Sequence, residues 1–133
     1  MNTDFRDFEE HSRSRFGERF VPGEYDSFML VLDSGVISFF RANGDPDGNV
    51  FIRAKIVDIS ELRRPGDFAK AALAGNFFWS GTDGATISAD DEAFYLTERR
   101  LLDEFMDDES FMNCLSDFSS ILADWRERSV LYA

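Results

Sequence analysis

The chain has 133 residues, enough for one domain spanning 1–133 that buries its own core without a metal or disulfide. Hydrophobic residues make up 44% and aromatics 15%, with 15 Phe, which excludes a disordered chain. Lys plus Arg number 14 against 26 Asp plus Glu, a net charge of −12 that disfavours nucleic acid and anionic membranes and suits a solvated surface or a partner carrying basic residues.

The first segment, "MNTDFRDFEE", is acidic and lacks the apolar stretch of a secretory signal, and no later apolar run approaches the roughly 18 residues of a membrane span. A soluble cytoplasmic protein is expected. Thr3 can cap a first helix, with Asp4 and Asp7 early, Phe5, Phe8 and Phe16 as a sparse apolar stripe, and Gly17 as a stop. Val21-Pro22-Gly23 reads as a connector.

Three strands come next. "YDSFMLVLD" and "VISFFRA" flank the turn Ser34-Gly35, and "VFIRAKIVDI" comes after the loop Asn43 to Gly48. With Asp33 opposite Val36 and Ala42 opposite Asn49, one face collects Phe28, Leu30, Leu32, Ile37, Phe39, Val50, Ile52, Ala54 and Ile56, with Arg41 at its edge. That face is the expected core. The other face carries Met29, Val31, Val36, Phe40, Phe51 and Val57 among Ser38, Arg53 and Lys55, too apolar for an ordinary solvated face. It is either a docking groove or covered by a helix. The loop "NGDPDGNVFIRA" resembles half a calcium loop, with Asn43, Asp45, Asp47 and Gly48 in place. Ala54 stands where the bidentate Glu belongs, so a hairpin loop is the better reading.

Pro65-Gly66 breaks the chain, and Asp67 then caps a short Ala-rich helix ending at Gly75-Asn76. The glycines of "GNFFWSGTDGATIS" are followed by no Lys, so they form no phosphate loop. The nearest downstream charges, Asp83 and Asp90 to Glu92, rule out an aromatic platform for bases. "ATIS" and "AFYLTE" around "ADDE" form a second hairpin. Asp107 or Asp108 opens the last helix, where Phe111, Leu115, Phe118, Leu122 and Trp125 recur at helical spacing as a core stripe. The order α-β-β-β-α-β-β-α predicts an α+β domain with an antiparallel β-sheet and three helices.

Little chemistry is available. His11 is the only histidine, and Cys114 is the only cysteine and fits a reducing compartment. The acids Asp90-Asp91-Glu92 and Asp103, Glu104, Asp107, Asp108 and Glu109 are accounted for by a hairpin tip and a helix N-terminus. No catalytic residues, metal or cofactor are expected.

Size, element order and a pI near 4.4 resemble the small type III secretion effector chaperones, the Tir-chaperone-like (class I) family. The features that carry the resemblance are Leu73 to Asn76 ending a helix, the hairpin "GATISADDEAFYL", the strand end "ERRLL" and the final helix with its late Trp125. The N-terminal third departs most, with scattered Phe where the family has a fuller Leu-rich stripe.

The resemblance implies a non-enzymatic homodimer that binds the non-globular N-terminal segment of a secreted effector and uses no cofactor. It would put the dimer contact on the second helix and the connector after it, at Phe68, Ala71, Ala72, Leu73, Phe77 and Phe78. Met29, Val31, Phe40, Phe51 and Val57 are the expected effector contacts, with Trp79 added because three consecutive aromatics in a short connector cannot all point inward. A partner-binding module of the same fold without a secretion role is the rival reading, and a small enzyme is a more distant one.

Overall fold

A computed structural model describes residues 5–41, 48–82, 84–105 and 107–133, and only the backbone of Phe78. Three helices are described: α1 (Phe5–Phe16), α2 (Pro65–Asn76) and α3 (Asp108–Ser129). The strands are β1 (Phe20–Pro22), β2 (Ser27–Leu32), β3 (Gly35–Arg41), β4 (Asn49–Asp58), β5 (Thr86–Ala89) and β6 (Ala93–Leu101). They form one six-stranded sheet in the order β1-β2-β3-β4-β6-β5, with every pairing antiparallel.

The α+β architecture agrees with the sequence, with one addition. The stretch expected to be a connector is the edge strand β1, which pairs Phe20 with Leu30 and Val21 with Met29. Pro22 ends it, as befits a residue without an N–H to give to a ladder. The first hairpin turns on Asp33-Ser34, because Leu32 pairs with Gly35. Gly35, at φ 126, takes a conformation a side chain would resist. The β2–β3 pairing is therefore offset by two residues from the expected register, while β3–β4 keeps it, with Arg41 opposite Val50. An offset of two leaves every side chain on its expected face.

Phe28, Leu30, Ile37, Phe39, Val50, Ile52, Ala54 and Ile56 are buried together under the helices. Phe8, fully buried, lies 5.1–5.8 Å by ring centroid from Phe5, Phe28, Phe39, Phe105 and Phe111. The sparse stripe of α1 is thus sufficient because its rings are large. The whole expected stripe of α3, from Phe111 to Trp125, is buried.

Helix ends differ in detail from expectation. Pro65, not Asp67, opens α2, its fixed φ suiting the first helical position. Thr3 and Asp4 lie outside the described residues. α2 ends at Asn76, as expected, with Gly75 still inside the helix, where a Cβ would come 2.5 Å from Trp125 Cζ2. The Trp125 indole N–H donates to Gly81 O at 2.8 Å. Asp107 caps α3 and accepts from the Ser110 N–H at 3.2 Å and hydroxyl at 2.8 Å. Arg126, late in α3, donates to Lys55 O at 2.7 and 3.1 Å and to Ser34 O, clasping the first hairpin and β4.

Candidate functional site

Among the described residues, no helix covers the face of the sheet opposite the core. Pairing lays its side chains out in rows. One row runs Ser27, Phe40, Phe51, Arg99; the next runs Met29, Ser38, Arg53, Thr97, Thr86. Phe40 and Phe51 stack at 5.6 Å with planes 19° apart. The Arg53 guanidinium lies over two rings, 5.8 Å from the Phe40 centroid and 5.0 Å from that of Tyr95. Met29, Phe40 and Phe51 are half-buried by their neighbours, and Val31 and Val36 are exposed. A depression of about 350 Å³ opens beside them, between Gly23, Met29, Phe40 and Arg53. Among the described residues this face is therefore not covered by a helix.

Val57 does not belong to this face. The register shifts between Lys55 and Val57, which places Val57 opposite the core residue Phe94, and it packs against the core. A β-bulge adds a residue to one strand, so the alternation that would put Val57 outside is broken there.

A second apolar surface lies at the end of α2. Leu73 and Phe77 are 70% and 69% exposed, and Trp79, in the helical turn after α2, is 53% exposed at a left-handed φ of 57. Trp79 thus stands with Leu73 and Phe77 on the α2 segment and not on a strand of the open face. Phe68 and Ala72 turn inward instead: Phe68 is fully buried against Phe94, Tyr132 and Trp125. Both are expected from the resemblance at a dimer contact, but the Ala-rich helix uses that side to pack on its own sheet. Ala71 is half-buried at the margin of the core. The side chain of Phe78 lies outside the described residues.

The two sheet edges are unlike. At β5, the Asn76 carboxamide donates to Ile87 O and accepts from Ile87 N–H, both at 2.9 Å. It fills the place of one residue of a neighbouring strand. The opposite edge, β1, is three residues long.

Several other polar groups have structural uses. His11 Nε2 lies 3.1 Å from Asp108 Oδ1, and Arg15 reaches the same oxygen at 3.5 Å, tying α1 to the start of α3. Burial, with Glu98 next in effect, pushes the Cys114 thiol up to about 12, so it is no nucleophile at neutral pH. Asp90 accepts from the N–H groups of Glu92 and Ala93 at 2.8 and 2.9 Å, and these bonds hold its carboxyl below the usual range. Among the described residues, no group of three or more His, Cys, Asp or Glu could hold a metal. Residues 43–47 of the stretch considered for calcium lie outside the described residues. No described helix is long and apolar enough to cross a membrane.

Sequence reasoning missed Tyr95, Arg99 and Asn76 as parts of these surfaces. Alternation in "AFYLTERRL" would have found the first two, given β6 beside β4.

The Tir chaperone protein (CesT) family pattern matches residues 22–126. No curated protein sequence gives a significant match. Among solved structures, the ExsC–ExsE complex contains a chain that superposes with a TM-score of 0.74 at 17% identity, covering 97% of each chain. The HopA1–SchA chaperone–effector complex contains one with a TM-score of 0.62 at 10% identity, covering 92% of this chain and 94% of the other. At these identities the two structures establish the fold. The family match spans most of the sequence, and the chain belongs to the Tir chaperone protein (CesT) family, a family of type III secretion chaperones.

Proposed function

We propose that this family member acts in the bacterial cytoplasm as a homodimeric type III secretion chaperone. It holds the non-globular N-terminal region of a secreted effector and keeps it soluble and competent for export. The observation that carries this reading is the open sheet face, where Met29, Phe40 and Phe51 form an apolar surface that no described helix of the chain covers. An unfolded segment binds by burying such anchors without needing a folded partner surface. Both structural neighbours come from complexes, one of them a chaperone–effector complex, and they support the same direction.

The second copy is assigned to the α2 surface, with Leu73, Phe77 and Trp79 as its contacts and Ala71 at its margin. Exposed aromatic and aliphatic side chains at the end of one helix suit a small, symmetric contact.

Co-expression with the N-terminal region of an effector encoded nearby tests the reading. A soluble complex that co-purifies, with light scattering giving two copies of this chain, is the expected result. No complex, together with a monomer, overturns it. Phe40→Asp should abolish co-purification and leave the far-ultraviolet circular dichroism unchanged.

A further inference from the structure

The open face is unusual for this chain in its charge. The protein carries −12, yet the outward strand residues Arg53, Lys55 and Arg99 are cations, and the two rows that contain Phe40, Phe51, Arg53 and Arg99 include no Asp or Glu. Lys55 is paired with Asp58 at 3.0 Å. Other cations are similarly engaged: Arg41 with Asp26, and Arg100 with Glu98 and Glu104. Arg53 and Arg99 have no carboxylate partner among the described residues. Other arginines, Arg64 and Arg126 among them, are held by backbone carbonyls and not by acids, so what sets Arg53 and Arg99 apart is their place on diagonal positions of one apolar sheet face.

We infer that this face recognises an acidic, apolar segment: an extended peptide with a carboxylate two positions from an aliphatic or aromatic residue. The inference rests on the chaperone reading above and names the chemistry of its partner. Charge complementarity supports it directly, because a carboxylate is the group that these two guanidinium groups lack. Spacing supports it as well. An extended chain sends every second side chain to the same side, about 6.7 Å apart, and the Arg53 guanidinium sits 5.8 Å from the Phe40 ring. One residue can lie on the Phe40–Phe51 stack while its neighbour but one meets Arg53 or Arg99. The rings also keep the Arg53 guanidinium against an apolar surface, where a charge-assisted hydrogen bond is less weakened by water. The chain's overall negative charge opposes any anion, and opposes a nucleic acid, charged at every nucleotide, far more than a segment with a few carboxylates.

The probe is the effector fragment that co-purifies with the chaperone, compared with the same fragment after its Asp and Glu residues are changed to Asn and Gln. Affinity for each is measured by calorimetry against the wild type, Arg53→Ala, Arg99→Ala and Phe40→Asp proteins. The arginines are exposed, so the alanine variants should keep the wild-type dichroism and thermal midpoint. The expected result is a loss of roughly tenfold for either arginine variant. Neutralising the fragment should cause a similar loss, and the two losses should not add. Arg53→Lys should restore part of the affinity, and added salt should weaken the wild-type complex most.

If Phe40→Asp weakens binding while the arginine variants and the neutral fragment bind as before, the acidic recognition is wrong and the docking face stands. If no variant changes the affinity, the fragment docks elsewhere and both are wrong. If the arginine variants alter only self-association, the face belongs to a second copy and the inference falls.

Discussion

Phe39 and Phe40 are adjacent in β3 and meet opposite fates. Phe39 is fully buried, stacked on Phe28 at 5.1 Å, under α1 and α3. Phe40 faces outward, stacked on Phe51 with no described helix above the pair. The two faces of the sheet draw on the same strands and both are rich in Phe. What separates them is whether a helix presents a matching apolar stripe. α3 carries one continuous stripe and α1 contributes Phe5 and Phe8, and both are spent on a single face. Apolar content therefore marks a surface that must be covered, and supply of helices decides whether the chain covers it or leaves it for another molecule.

The largest effect expected from this contrast is Phe8→Ala. It should cost about 3–5 kcal/mol in urea unfolding, against about 1 kcal/mol for Phe40→Ala, which loses mainly a cross-strand pair. Comparable losses would mean that the outer face is core after all. Arg126→Ala should be intermediate, at about 1–3 kcal/mol, because it leaves the carbonyls of Ser34 and Lys55 without their charged donor.

Smaller effects come from pH. Cys114, on the helix side, has a raised folded pKa of about 12, so the folded chain keeps a proton that the unfolded chain releases above about pH 8.5. Stability should decline as pH rises from there towards 12, and Cys114→Ala should flatten the decline. Asp90 and Asp107 are lowered by hydrogen bonds from Glu92 N–H and the Ser110 hydroxyl respectively. Their stabilisation is present above about pH 4 and is lost as pH falls through their folded values. Asp107→Asn should reduce the acid sensitivity measured by thermal midpoint, the smallest of these changes.

The core and the open face are legible in the sequence because side-chain alternation survives an error in register, provided the error is even. Two residues' displacement in the first hairpin costs nothing at the level of faces. The bulge after Lys55 defeats the same logic for Val57, since one inserted residue inverts the alternation and no local signal announces it. Phe68 escapes sequence reasoning for a different reason. In α2 the inward side is set by which of its residues meets Trp125 and Phe94, both distant in sequence. Arg53 and Arg99 become a pair only when β6 lies beside β4, an arrangement that hairpin logic does not supply.

The clasp at Arg126 also bears on how the protein comes to exist in a cell. The groups that close the fold arrive late: Trp125 bonds Gly81, Arg126 bonds the first hairpin and β4, and Tyr132 O accepts from the N–H groups of Arg63 and Arg64. During translation the strands that carry Phe40 and Phe51 emerge well before these locks. For that interval the core face has α1 but lacks the end of α3, so an apolar segment could lodge on either face. Only when residues 125–132 have been made does the core side close, leaving one face to offer.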